Sequence, residues 1–167
     1  MPSPWAVPRA DVPSLFFESR LAAPADTVWA AVSTMDGVND ELMPLMRMSH
    51  PADLARFDDD VDVRPGLVVF HSWLLLFGVL PIDRHALAFD RLIPGRGFDE
   101  RSHSWLQREW IHRRRVEPIG PDACRVRDEL AFEPRVPSAA PLVKPVVRRL
   151  FTHRHRRLRA RFGVAPA

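Results

Sequence analysis

Residues 141–163 read PLVKPVVRRLFTHRHRRLRARFG, and this stretch decides the fold of the chain. When it is wound at about 100° per residue, apolar side chains gather on one side of a helix and arginines occupy the other. Gly163 follows the last periodic residue, where helices commonly end on a left-handed residue. The stretch predicts a long amphipathic helix, which either covers an apolar cavity within one domain or presents positive charge to an anionic partner. The apolar side consists of Val143, Val146, Val147, Leu150, Phe151, Leu158 and Phe162.

Arg154 interrupts the apolar side, one helical turn from both Leu150 and Leu158. A guanidinium in a dry core costs roughly several kcal/mol unless it is paired. In a structural role, Arg154 extends its charge to solvent or pairs with the sheet that faces the helix. In a functional role, the cation reaches into a polar interior that holds a ligand. The sequence leaves both roles open.

The net charge of +3 conceals an uneven distribution along the chain. Nine of the 24 basic residues follow residue 133, and no acidic residue does, so the rest of the chain has 15 basic against 21 acidic residues. A basic helix packed on an acidic body balances these charges within the molecule. We therefore expect no nucleic-acid partner.

Length and composition indicate one globular domain. The chain has 167 residues, 46% of them hydrophobic, which is enough to enclose a core and a cavity. We expect an irregular arm over residues 1–13, a single domain over residues 14–163 and a short tail over residues 164–167. The oligomeric state is left open, with a homodimer as one alternative.

Two segments bear on localisation. Residues 66–82 are apolar but shorter than the ~20 residues that a membrane span needs, so we interpret them as a buried strand that runs into a turn. The amino terminus lacks the basic start and apolar run of a signal peptide. The single cysteine, Cys124, can form no intramolecular disulfide. We expect a cytoplasmic protein without a transmembrane segment.

The order of predicted elements defines an α+β architecture. A first strand over residues 14–21 precedes a helix opened by Pro24 and a short helix over residues 36–45. An acidic turn at residues 58–60 then leads into a run of antiparallel strands. Such a meander, when strongly curved, needs a cover on its concave face, and only the terminal helix is long enough. The later strands are predicted at residues 61–63, 67–76, 84–93, 98–104, 106–117 and 125–133.

Five motifs in this order resemble the START/SRPBCC superfamily, whose helix-grip fold is also called Bet v 1-like. They are APADTVW at residues 23–29, GRGFDERS at 95–102, REWIHRRRVEP at 108–118, VRDELAFEPR at 126–135 and FTHRHRRLRARFG at 151–163. The resemblance implies a seven-stranded antiparallel sheet wrapped around the terminal helix, with a cavity between them. The superfamily includes lipid carriers, hormone receptors and polyketide aromatases and cyclases, so function depends on the site.

If sheet and helix enclose a cavity, one face of each strand and one side of the helix line it. Trp73 and Trp110 could then wall in a flat ligand, or they could be core residues. One extra residue at a bulge would exchange the faces. The predicted ligand-binding residues are Trp73, Phe89, Glu100, Trp110, His112, Asp128, Leu150 and Arg154.

Three of these residues are candidates for catalysis. His112 and Asp128 lie on strands expected to be neighbours, and a carboxylate can orient an imidazole for general acid–base chemistry. The same pair can equally be a satisfied structural hydrogen bond. Arg154 could bind an enolate, carboxylate or phenolate oxygen. The sequence does not decide whether a reaction is catalysed.

Metal, phosphate-loop and cysteine chemistry have little support. His153 and His155 are two residues apart on a helix and point to different sides, and no HExxH motif or cysteine pair occurs. The GRGF segment lacks the lysine and helix of a phosphate-binding loop. Cys124 has no flanking nucleophile signature. We expect no metal and no cofactor.

Three hypotheses for function follow. The first is binding of a hydrophobic or aromatic small molecule, lipid- or polyketide-like, in a cavity between the sheet and the terminal helix. The second is a polyketide cyclase or dehydratase that uses His112, Asp128 and Arg154. The third is an interaction protein whose basic helix meets an anionic membrane or nucleic acid.

Overall fold

A computed structural model describes residues 14–57 and 61–166. The predicted arm and the acidic turn at residues 58–60 lie outside these residues. The described elements, in chain order, are β1 (Ser14–Leu21), α1 (Ala25–Val32), α2 (Met35–Leu42), β2 (Met46–Met48), β3 (Val68–Leu76), β4 (Leu80–Ile93), β5 (Gly97–Ser104), β6 (Gln107–Gly120), β7 (Ala123–Pro134), a 3-10 turn (Pro137–Ala139) and α3 (Ala140–Phe162).

One antiparallel sheet holds all the described strands in the order β1-β7-β6-β5-β4-β3-β2. The sheet curls around α3, which packs against β1, β7 and α2. This arrangement confirms the predicted α+β helix-grip fold, with two short helices after the first strand. Gly163 ends α3 at φ 77°, and its N–H donates to the Arg159 carbonyl at 2.9 Å.

The first two helices begin where local chemistry allows. Pro24, at φ −57°, immediately precedes α1, and the Thr34 hydroxyl accepts the Gly37 N–H at 2.9 Å to cap α2. We predicted α2 to reach residue 45, but it ends at Leu42. The reason is Pro44, because a proline disfavours helical backbone at the preceding residue, and Met43 is extended at ψ 148°.

One predicted strand is wrong and one strand was missed. Residues 61–63 form no strand, whereas Met46–Met48 pairs with the end of β3. Asn39 of α2 fixes β2 in place, since its side-chain amide accepts the Met48 N–H at 2.8 Å and donates to the Met48 carbonyl at 3.0 Å. A three-residue strand has no periodicity, so its sequence gives no strand signal.

Three apolar clusters make up the core. Leu158 of α3 packs with Leu21 and Val28, while Phe151 packs with Phe132. The middle cluster lies between α2 and strands β3 to β5. Val146, predicted on the buried side of α3, is 63% exposed. In this part of the helix the buried side is formed by Val147, which packs with Leu15 and Leu130 of the sheet.

Candidate functional site

The interior between the sheet and α3 contains a network of buried charges. Arg114 of β6 is its centre, with no exposed surface. Its Nε and Nη2 donate to the two carboxylate oxygens of Asp128 at 2.8 and 2.7 Å. Its Nη1 and Nη2 donate to the two oxygens of Glu41 at 2.7 and 2.8 Å. We call the connected set the buried network; its members are Glu41, His85, Glu100, His112, Arg114, Asp128, Arg154 and His155.

Asp128 is the most heavily hydrogen-bonded carboxylate of the network. Besides Arg114, it accepts from His112 Nε2 at 2.8 Å and from His155 Nε2 at 2.9 Å. Burial alone would raise the pKa of Asp128, but the Arg114 guanidinium and the His112 imidazole hold that pKa well below its usual range. Asp128 is therefore an ionised acceptor whose two oxygens are engaged by Arg114, His112 and His155.

Glu100 extends the network along β5. Its Oε1 accepts from His85 Nε2 at 2.8 Å and from the Ser102 hydroxyl at 2.7 Å, and its Oε2 lies 3.4 Å from His112 Nδ1. His112 thus stands between two carboxylates. Burial alone would raise the pKa of Glu100, but hydrogen bonds from His112 and His85 lower it to about 2.

Arg154 pairs with a carboxylate, as in the structural alternative, but its partner lies on α2 rather than on the sheet. Its Nε and Nη2 each lie 3.0 Å from Glu41 Oε2, and its guanidinium carbon lies 4.7 Å from the centre of the Phe151 ring. Burial alone would raise the pKa of Glu41, but the charges of Arg114 and Arg154 lower it. Arg154 is only 6% exposed, so its charge is paired inside the protein and does not reach solvent.

Ser19, His155 and Asp128 are connected in the order of a hydrolase triad. The Ser19 hydroxyl lies 2.7 Å from His155 Nδ1, and His155 Nε2 lies 2.9 Å from Asp128. However, Arg159 Nη1 donates to the Ser19 oxygen at 2.8 Å, and Ser19 is 4% exposed. A nucleophile needs an oxygen that substrate can reach, and the Ser19 oxygen is buried and already hydrogen-bonded. The arrangement of these three residues is therefore not that of a catalytic triad.

Sequence reasoning missed several members of the network, although a signal existed for some. The alternation that placed Trp110 and His112 on the inner face of β6 continues to Arg114, two residues on. Glu41 follows Val38 by three residues, on the inner side of α2. The other missed members are His85 and His155; Ser19, which contacts His155 from outside the network, was also missed.

The structure places the predicted site residues as follows. Phe89, Glu100, His112, Asp128 and Arg154 are buried on the inner side. Trp110 stacks on Phe132 at 5.9 Å between ring centres, and Leu150 packs against the middle core cluster. These contacts make Trp110 and Leu150 part of the core.

The prediction that Trp73 faces inward is wrong. Its neighbours Phe70 and Ser72 are buried, whereas Trp73 lies on the outer face of β3, with the Arg84 guanidinium 5.2 Å from its ring centre and Trp105 at 5.2 Å. Residues 67–76 are apolar on both faces, so their alternation could not fix the side. A register shift between Leu74 and Leu75 also interrupts the regular pairing of β3 with β4.

Three pockets of the described residues lie away from the middle of the grip. The largest of the three, of about 1020 Å³, is open to solvent and is bordered by the first half of α3, β2 and the end of β3. A second, of about 230 Å³, lies between α2 and the end of α3, and a third, of about 300 Å³, lies among arginines and carboxylates of the outer sheet face. Of the eight predicted ligand residues, only Leu150 lines one of these three.

Two kinds of feature are absent from residues 14–57 and 61–166, the part of the chain that the structure describes. No group of three or more His, Cys, Asp or Glu side chains there is arranged to hold a metal ion. No helix there is long and apolar enough to cross a membrane. Cys124 is fully buried, and burial raises the pKa of its thiol.

Residues 19–162 match the family DUF8410, described as a domain of unknown function. The chain belongs to this family. No curated protein matches this DUF8410 chain significantly.

Solved structures share the fold of this DUF8410 chain at low identity. A START superfamily protein from Mycobacterium smegmatis has a TM-score of 0.62 at 15% identity, over 89% of this chain and 96% of the other. The Zhui aromatase/cyclase from Streptomyces sp. R1128 gives 0.59 at 16%, over 88% and 91%. Truncated norcoclaurine synthase from Thalictrum flavum gives 0.57 at 14%, over 87% and 92%. The DUF8410 chain therefore has the START/Bet v 1-like fold that its motifs implied.

Proposed function

We propose that the protein binds a hydrophobic or aromatic small molecule in the 1020 Å³ cavity, which we call the end cavity. The observation that carries the proposal is its size and lining, since small-molecule sites typically measure about 300–1,000 Å³ and are mostly apolar. Nine of its thirteen lining residues are apolar. They are Leu45, Met46, Leu76, Phe77, Ala140, Pro141, Pro145, Val146 and Leu150.

The proposed site differs from the one that the sequence suggested. The middle of the grip is occupied by the buried network and by aromatic side chains such as Phe89 and Phe151, both about 1% exposed. The end cavity instead lies between the first half of α3, β2 and the end of β3. Met46 and Met43 lie at this end, and flexible thioethers suit a site that adapts to its ligand.

The three candidate catalytic residues all belong to the buried network, which weakens the catalytic hypothesis. In this network His112 pairs with Asp128, and Arg154 pairs with Glu41. None of the three candidates lines the end cavity. A general base must come within hydrogen-bond reach of the substrate proton. We therefore assign these side chains a structural role and propose ligand binding.

A cavity-filling variant tests the proposal. Val146→Trp places an indole in the end cavity from an exposed position, so the core is left intact. We expect the affinity for the fluorescent apolar probe N-phenyl-1-naphthylamine, measured by titration, to fall about tenfold or more, equivalent to roughly 1.4 kcal/mol. Leu142→Trp is the matched control, because Leu142 is 75% exposed one turn earlier and lines no part of the cavity. Equal affinity in the two variants would exclude the end cavity as the site.

A further inference from the structure

We infer that the surface around the mouth of the end cavity docks on an anionic membrane surface. This inference does not depend on the ligand, because docking and ligand binding have separate readouts. We call the surface the docking face. Its apolar members are Phe77, Val79, Leu80, Leu142 and Val146, and its basic members are Lys144, Arg148 and Arg149.

The apolar members of the docking face are largely exposed to solvent, although burial of such side chains would stabilise the fold. Phe77 is 63% exposed, Val79 80% and Leu80 56%, all at the β3–β4 hairpin. On α3, Leu142 is 75% and Val146 63% exposed, one helical turn apart. Phe77 and Val146 line the same cavity, so the hairpin and the helix form one surface. Contiguous exposed apolar surface rimmed by polar groups marks an interaction site.

The conformation of Phe77 supports a functional role for the hairpin. Val79 N–H donates to the Leu76 carbonyl at 3.2 Å, and both central residues of this turn have positive φ, 52° at Phe77 and 77° at Gly78. Asn, Asp or Gly normally occupies such positions, because a bulky side chain is strained there. A strained aromatic residue exposed at the hairpin tip gains nothing from burial in the described fold. It does gain if it inserts among lipids, since aromatic side chains favour the membrane interface.

The charge of the docking face is positive and unbalanced. Within the described part of the chain, no ion pair or hydrogen bond engages the side chains of Lys144, Arg148 or Arg149. The three segments that build the face, residues 43–52, 66–82 and 134–152, contain no acidic residue. Each basic residue near an anionic bilayer contributes on the order of 1 kcal/mol at moderate salt.

The other half of α3 differs in this respect. Arg154 pairs with Glu41, and Arg161 pairs with Asp40 at 3.0 Å. Arg157 donates to the Asp40 carbonyl, and Arg159 donates to Ser19. The cations in the second half of the helix are therefore paired within the protein, whereas those in the first half point outward.

A membrane fits this combination better than the other anionic partners. Nucleic acid offers phosphates but no aliphatic phase for Val79, Leu80 and Leu142, and aromatic stacking would use only Phe77. A second copy would bring Arg148 and Arg149 against like charges. Only an anionic lipid interface takes both the aliphatic side chains and the cations.

Vesicle flotation with the full chain tests the inference. We expect binding to phosphatidylcholine vesicles that contain phosphatidylglycerol, little binding to pure phosphatidylcholine, and loss of binding as salt rises. Arg148→Gln with Arg149→Gln should weaken partitioning by roughly 30-fold at low salt. Phe77→Asn should weaken it by about fivefold or more, and should fold well because Asn accepts positive φ.

Matched controls separate the docking face from charge and apolarity in general. Phe16→Ser removes a phenylalanine that is 58% exposed on β1, at the opposite edge of the sheet, and should bind as the wild type does. Wild-type partitioning in Phe77→Asn, or no flotation at low salt, would overturn the inference. So would a dimer in light scattering that Phe77→Asn dissociates, or binding to duplex DNA without binding to vesicles.

A label at residue 77 provides a readout that does not rely on lost binding. Cys124 is fully buried, so the fluorophore NBD attached to Phe77→Cys labels the hairpin selectively. Its emission should shift to shorter wavelength with anionic vesicles, whereas NBD at Phe16→Cys should not shift. An unchanged spectrum at residue 77 while the protein floats with vesicles would contradict insertion of the hairpin.

Discussion

Arg114 neutralises two buried carboxylates that come from distant parts of the chain. It bridges Glu41 of α2 and Asp128 of β7 with paired hydrogen bonds, and the pKa of its guanidinium is raised well above its usual value although burial alone would lower it. Either carboxylate without it would be a buried and incompletely paired charge. Such an ion pair costs much more to break than its formation contributes to stability.

Replacement of Arg114 should therefore be severe. Arg114→Met leaves Glu41 and Asp128 without their main partner, and we expect the free energy of unfolding to fall by about 3–5 kcal/mol in urea denaturation. The control is Arg108→Met on the same strand, whose side chain is 60% exposed with its Nη1 3.2 Å from Glu133 Oε1, and which should cost less than about 1 kcal/mol. Similar losses in both variants would show that the buried network is not the source of stability.

Glu100 gives the network a defined acid sensitivity. Its pKa of about 2 in the fold lies below its usual 4.5, so the unfolded chain binds more protons between these pH values. The stabilisation is complete above about pH 4.5 and is lost as the pH falls towards 2. We expect the difference in unfolding free energy between the wild type and Glu100→Gln, on the order of 3 kcal/mol near neutral pH, to shrink over this range.

The control for Glu100→Gln is Glu133→Gln, which changes a carboxylate that is 42% exposed. Its difference from the wild type should stay small and constant with pH. A Glu100→Gln difference that is the same at pH 6 and pH 2.5 would refute the assigned linkage.

The helix α3 performs two tasks along its length. Its second half closes the curved sheet through Phe151, Leu158 and the pairing of Arg154 with Glu41. Its first half also packs on the sheet through Val147, but its other side directs Val146 and Arg149 towards the end cavity and solvent. The cations of this basic amphipathic helix thus pair within the protein along its second half and face outward along its first half.

Paired substitutions should separate these halves. Arg154→Gln leaves Glu41 with one cation fewer in a buried site, and we expect a loss of about 1–3 kcal/mol in unfolding free energy. Arg148→Gln, with the same change of charge on the exposed side, should stay within about 0.5 kcal/mol of the wild type. Thermal and urea unfolding of the two variants measure the difference; equal stability would contradict the division of the helix.

For the whole molecule, the sequence predicted the fold better than the site. Periodicity located α3 and most strands, and alternation on β6 and β7 placed His112 and Asp128 on the inner face. It could not show that Glu41, from a separate helix, would meet Arg154, because such contacts depend on how elements pack. Nor could it show that the middle of the grip is filled. The apolar run in β3 carries no alternation, which is why Trp73 was assigned to the wrong face.

The most direct test of the central claim, that ligand occupies the end cavity, is native mass spectrometry of the protein purified from its own source. Wild type, Val146→Trp and Leu142→Trp are compared under the same conditions. We predict a bound apolar small molecule on the wild type and on Leu142→Trp, and its loss from Val146→Trp. Equal occupancy in all three proteins, or no bound molecule on any of them, would contradict the account.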